Sequence, residues 1–183
     1  MCDTLATELG GSAHVCDAAD PAQVAALFAA IPEAELVLYN PSGRVRGPIV
    51  ELDPEAVRRS LEVTAFGAFL VAQQAARRML AAGRGTILLT GASAGVKGFA
   101  RSAPFAMGKF ALRGLAQSLP RELHPHGVHV AHVIVDGGIG PAGDADDRQL
   151  DPDAIAAVML GLVRQHRSCW SEELAVRPWT ETF

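Results

Sequence analysis

The sequence predicts an α/β fold built on a doubly wound, mostly parallel sheet, and three observations point there. Short apolar runs recur at Ala13–Cys16, Leu36–Tyr39, Thr86–Thr90, Val128–Val135 and Leu174–Val176. Helical stretches alternate with these runs, the pattern that lays parallel strands between covering helices. An Asp-Pro pair also opens three of the helical stretches, at Asp20-Pro21, Asp53-Pro54 and Asp151-Pro152. The Asp side chain can accept from the free N–H groups of a first turn, and Pro suits a position with no N–H to satisfy.

In chain order, Leu5–Leu9 reads as a helical piece that Gly10-Gly11 stops before the first strand, Ala13–Cys16. The helix from Pro21 leads to Leu36–Tyr39. The next helix covers 54–82 and stops at Gly83 and Gly85, residues that tolerate a left-handed C-terminus. Beyond Leu61 it is apolar nearly all round, so the sheet can cover one face and another helix or a second subunit the other. Thr86–Thr90 feeds a small-residue loop, Gly91 to Gly98. The helix over 102–123 follows, apolar through Phe105, Leu112, Leu115 and Leu119. Pro120 should bend or fray its last turn, at roughly 3 kcal/mol if that turn stays helical. The tail Trp170 to Phe183 carries enough aromatic area to lock onto the sheet edge or meet a partner.

With 183 residues, 49% of them hydrophobic, and a net charge of −4, residues 1–183 form one domain with a sizeable core. There is no basic excess or interleaving of basic and aromatic residues, which argues against a nucleic-acid partner. The longest apolar-rich segment, Ala65 to Ala76, is too short to span a membrane, and no stretch reads as a signal peptide. Cys2, Cys16 and Cys169 are odd in number and widely spaced, as expected of reduced thiols in the cytoplasm.

The stretch Gly85 to Lys109 is the site candidate. A buried strand runs into a Gly/Ser loop, and Phe105 and Lys109, four residues apart, share one helix face. Open parallel sheets build their sites at the carboxyl ends of strands.

At these residues the chain resembles the short-chain dehydrogenase/reductase family, and the likeness covers nearly all of it. Cys16-Asp17 ends a strand where the family has an Asp near the adenine ring. Tyr39-Asn40-Pro41-Ser42-Gly43 resembles its Asn-Asn-Ala-Gly turn, and Val63-Thr64 its Val-Asn helix. Gly85–Gly95 is similar to the strand with the catalytic Ser, Phe105-x-x-x-Lys109 to Tyr-x-x-x-Lys, and Val135-Asp136-Gly137 to the strand ending in Pro-Gly. The resemblance implies a Rossmann-like fold, an oxidoreductase using NAD or NADP on a small carbonyl or alcohol, and homo-oligomers through helices 54–82 and 102–123. It assigns Lys109, Ser93, Thr64 and Phe105 to the catalytic positions and Asp17, Asn40, Gly43, Lys109 and Gly137 to the cofactor.

The departures bear on activity. In the family the Tyr hydroxyl exchanges the substrate proton, the Lys lowers its pKa, the Ser orients the carbonyl and the Asn carries a water relay. Here the Tyr position holds Phe105, the Ser position holds Ala92 with Ser93 one residue late, and the Asn position holds Thr64; Lys109 alone is kept. Losing a positioned general acid costs about 10²–10⁴ in rate. The family's first strand, its glycine-rich phosphate turn and the second strand also have no counterpart ahead of residue 20, so the domain reads as N-terminally truncated. Two missing strands would leave a gap of roughly 14 Å in the sheet. The 13–16 strand therefore either slides beside Leu36–Tyr39 or hangs loose. Three readings follow: an impaired oxidoreductase, a non-catalytic pseudoenzyme or dimerising subunit, and a lyase or isomerase that needs only Lys109.

Other candidates read more plainly. His124, His126, His129 and His132 straddle a turn and a strand, with His129 and His132 on opposite faces, and we assign no metal. Asp136 reads as a helix cap or loop carboxylate, Asp144, Asp146 and Asp147 as solvated loop residues, and Tyr39, the only tyrosine, as packing.

Overall fold

Four strands lie side by side in chain order, all parallel: β1 (Leu36–Tyr39), β2 (Gly85–Ala92), β3 (Val128–Val135) and β4 (Glu173–Val176). The computed structural model describes every residue except Met1, Pro32, Ala142, Asp144, Ala145, Asp147, Thr182 and Phe183. The register aligns Tyr39 with Leu89, Ala92 with Val135 and Val135 with Val176, so the strands finish along one carboxyl edge. Helices α1 (Cys2–Glu8), α2 (Pro21–Ala30), α3 (Pro54–Leu61), α4 (Gly67–Ala82), α5 (Ala103–Leu123) and α6 (Pro152–Val163) complete the chain.

Strand alternation splits the core between the two faces. Ile87, Leu89, Val128 and Val130 pack with Leu70 and Met79 of α4 and Leu112 of α5. Leu88, Ala131 and Val133 face the other way, onto Leu162 of α6. That is the doubly wound arrangement of the predicted fold class. The carboxylates of Asp20, Asp53 and Asp151 each accept from the second and third N–H groups of their helices. No described helix is long and apolar enough to cross a membrane.

Three local expectations change. Residues 13–16 form no strand, and Val15 is fully exposed, so the segment does not slide into the sheet beside Leu36–Tyr39. The following turn is fastened elsewhere. Asp17 N–H donates to Gln23 Oε1, Ala19 N–H to Asp17 Oδ1, and the Asp17 carboxylate pairs with Arg59 of α3. These contacts hold the segment against α2 and α3, and a cleft of about 350 Å³ lined by Phe28, Leu36, Leu38 and Pro41 runs beside β1. The 54–82 helix is interrupted by a π-helical turn, Glu62–Phe66, and it ends as expected at Gly83, whose φ is +67°. Finally, Pro120 does not fray the last turn: it is buried within α5, which runs on to Leu123. Burial against the sheet outweighs the hydrogen bond that proline cannot make. The tail does lock onto the sheet, through β4 and through Trp170, which stacks 4.9 Å from the His129 ring. Trp179 remains exposed.

The turns at the opposite edge of the sheet meet backbone to backbone. Gly127, after α5, has φ +83°, and a Cβ there would lie 2.4 Å from the Gly83 carbonyl oxygen. Gly127→Ala should therefore lower the urea midpoint by more than about 1 kcal/mol of stability, with an unchanged m-value. Gly114→Ala, in open space on α5, should raise it by roughly 0.5–1 kcal/mol.

Candidate active site at the carboxyl edge

Thr64 sits at the centre of this edge. The π turn carries it inward until it is fully buried, and its Oγ1 accepts the Gly43 N–H at 2.8 Å. On its other side a Cβ on Gly108 would lie only 3.0 Å from the Thr64 Cβ, so α5 packs directly on the π turn. Gly43 is equally constrained, because a Cβ there would meet the Ser60 Cα at 2.4 Å. Gly95 completes the fit, its Cβ position 3.0 Å from the Lys109 carbonyl. Close packing at Gly43, Gly95 and Gly108 thus fixes α5 against the strand ends.

On α5, Phe105 and Lys109 are both buried. Lys109 Nζ donates to the Thr90 carbonyl at 2.7 Å and lies 6.0 Å from the centroid of the Phe105 ring. Burial, and secondarily the Arg44 guanidinium, push the Lys109 pKa down to about 8. Arg44 lies over the same ring, its Cζ 4.7 Å from the centroid of Phe105. Ser93 joins Phe105 in lining a cavity of about 540 Å³ with Arg44, Arg46, Phe99 and Arg101.

Thr64, Ser93, Phe105 and Lys109 therefore come together, with Gly43 fastened beneath them. Asn40 is exposed just past β1. Asp17 lies apart on the α3 side, its carboxyl held below the usual range by the Ala19 N–H and by Arg59. Gly137 follows β3, and a Cβ there would meet Pro178 at 2.7 Å, so the tail covers it. Asp136 differs from the sequence reading: it is a buried carboxylate paired with Arg177 at 2.9 Å, neither a cap nor a solvated residue. Tyr39 is packed as expected. Its hydroxyl donates to the Val63 carbonyl and burial raises its pKa to about 12.

His129 and His132 have protein partners. His129 Nε2 lies 3.0 Å from the Ser171 carbonyl, and on the opposite face His132 Nδ1 lies 2.9 Å from Glu173 Oε2. Among the described residues no three His, Cys, Asp or Glu side chains could hold a metal ion. Asp144 and Asp147 lie outside the described residues, and Asp146 is exposed. The sequence reading missed Arg44, Arg46 and Arg101. For Arg44 and Arg46 the signal was the stretch Gly43-Arg-Val-Arg-Gly47, basic with no acidic neighbour, in the loop after β1; Arg101 had none.

Residues 2–144 match the family model described as short chain dehydrogenase. The chain belongs to that family. Among solved structures, the chain is similar to a short-chain dehydrogenase from Rhodopseudomonas palustris, with 35% identity and a TM-score of 0.84 over 96% of this chain and 81% of that one. A metagenomic short-chain oxidoreductase, solved in complex with NADP, has 27% identity and a TM-score of 0.81 over 98% of this chain and 80% of that one. Among curated proteins, (+)-borneol dehydrogenase 1 of Salvia officinalis is 33% identical over 79% of this chain and 59% of the relative. The chain spans about half the length of the first curated relatives it matches.

The buried lysine gives this site a pH signature. The native Lys109 pKa of about 8 lies below its ordinary 10.5, so between these values the unfolded chain binds more protons and stability rises with pH. Tyr39 acts in the opposite sense above pH 10, where its raised pKa favours unfolding. Urea unfolding should thus show stability increasing between pH 8 and 10, by about 2 kcal/mol. In Lys109→Met that increase should disappear.

Proposed function

We propose that this short-chain dehydrogenase is a ligand-binding member whose NAD(P)-dependent hydride-transfer activity is impaired or lost. The reading rests on Phe105. The side chain that faces the cavity at the position of the expected proton donor is a bare ring capped by a guanidinium. Tyr39 does not replace it, because its hydroxyl is committed to Val63. Its ligand would be a small carbonyl or alcohol compound lying against Ser93 and Phe105.

The cofactor positions support the same reading. The Asp17 carboxylate is paired with Arg59, the Gly43 N–H donates to Thr64, and the Lys109 ammonium is buried and donates to Thr90, while Pro178 covers Gly137. Of the positions that the resemblance gives to NAD or NADP, Asn40 is the exposed one. The described residues are a poor fit to a dinucleotide.

Reduction of small aldehydes and ketones, followed by NADH or NADPH absorbance, should be slower than about 1 s⁻¹ in the wild type, below the usual enzyme range. Phe105→Tyr should raise any turnover by about 10²-fold or more, because it returns an ionisable hydroxyl beside Arg44 and Lys109. Ordinary wild-type turnover would refute the reading.

The chain also presents apolar side chains for self-association, and we infer a homo-oligomer through the 54–82 and 102–123 helices. Phe66 and Phe69 are exposed at i,i+3 spacing on one, and Met107 and Phe110 on the other. Sedimentation should show a dimer or larger species at micromolar concentration, converting to monomer in Phe69→Glu/Phe110→Glu. Free thiols at Cys16 and Cys169 support a cytoplasmic setting.

A further inference from the structure

The cavity beside Phe105 has an excess of positive charge that its own walls do not neutralise. Arg44 and Arg46 enter it from the loop after Gly43, and Arg101 from the loop before α5. The Gly47 N–H donates to the Arg101 carbonyl at 3.0 Å, so the two loops are tied together and the three arginines share one opening. Among the described residues, no carboxylate pairs with any of the three, and the cavity lining contains no Asp or Glu. Arg113, by contrast, is held on two sides by Glu173.

Arg101 carries a second signal. Its φ is +59°, and it is the one described residue other than glycine with a positive φ. Glycine would sit there without steric strain, and strained residues that persist in a fold concentrate at ligand clamps. Arg44 is oriented as well, by its stacking on Phe105. A guanidinium stacked on a ring still has its in-plane N–H groups available, and that planar fork suits carboxylate and phosphate oxygens. The remaining wall is apolar, with Phe99, Ala100 and Phe105, and Ser93 adds a hydroxyl. At about 540 Å³ the space is in the range of small-molecule sites.

We propose that this pocket selects a small organic anion, a phosphate ester or carboxylate, whose charged group is held by Arg44, Arg46 and Arg101 and whose carbon body lies against Phe99 and Phe105. This names the class of ligand for the site in the functional reading above and rests on that reading.

The test is calorimetric titration in low-salt, phosphate-free buffer, with glycerol 3-phosphate, succinate, neutral glycerol and NADPH as separate probes. At least one of the two small anions should bind saturably and glycerol should not. Arg46→Gln and Arg101→Gly should each weaken anion binding roughly tenfold or more, as expected for a lost charge-assisted contact. Arg84→Gln should leave it unchanged, because Arg84 pairs with Glu35 away from the cavity. Arg101→Gly also relieves the left-handed strain, so its melting temperature should hold or rise while binding falls, which separates recognition from folding. The proposal is overturned if neither small anion binds, if glycerol binds equally well, or if the arginine variants leave affinity intact. It is also overturned if NADPH alone binds in an Arg46-dependent way, since the charge then serves a dinucleotide. The heat is read without turnover, so wild-type reductase activity would refute the functional reading and leave this result standing. A null titration would leave the activity assay untouched.

Discussion

The hydroxyl of Thr64 holds the carboxyl edge of the sheet together. It accepts from Gly43, which closes the turn after β1, and the same side chain is the surface on which Gly108 of α5 rests. A buried hydroxyl without a partner would be costly, and a longer side chain at 64 or 108 would push α5 away. A regular α-helical register would not place Thr64 in the same position, so the π turn is part of the arrangement. Everything above that contact, from Phe105 and Lys109 to the cavity they border, inherits its position from it.

The same packing determines the electrostatics. Once α5 is pressed against the strand ends, Lys109 is buried and its ammonium is directed to the Thr90 carbonyl. Burial of a cation beside Arg44 is unfavourable, and the lowered pKa expresses that cost. Both cations lie near the Phe105 ring, Arg44 at 4.7 Å and Lys109 at 6.0 Å from its centroid. Such a ring tolerates positive charge on its faces through its quadrupole. The edge therefore presents positive charge on a packed framework.

What the sequence discloses follows from how local each determinant is. The three Asp-Pro caps and the strands at 36–39 and 128–135 are set by nearby residues and by burial, and both were legible. The 13–16 segment has a strand's composition, but no strand forms beside β1; Asp17 fastens the following turn to Gln23 of α2 and Arg59 of α3. The π turn is set by contacts from residues 43 and 108, far away in sequence, and left no trace in the periodicity of residues 54–82. Asp136 looked solvated because its partner, Arg177, lies forty-one residues on. The core positions of the site were readable from the Phe105-x-x-x-Lys109 spacing. The arginine trio was not, because Arg101 meets Arg44 and Arg46 only once the loops before α5 and after β1 are brought together.

These positive charges also bear on which chemistry the edge can support. Reducing a carbonyl generates negative charge on oxygen and then requires a proton for it. Guanidinium groups can stabilise the charge but do not release a proton near neutral pH. Lys109 has a lowered pKa, yet its ammonium is hydrogen-bonded to a strand carbonyl and buried with Phe105. The Ser93 hydroxyl can donate a hydrogen bond but is a poor acid. A site of this kind is better matched to an anion that already exists than to one that must be formed and then protonated. The arginines that strengthen the first interaction do nothing for the second step, and the ring that shapes the pocket has no proton to give. On the functional reading proposed above, ligand retention and loss of reductase chemistry are two consequences of one arrangement of side chains.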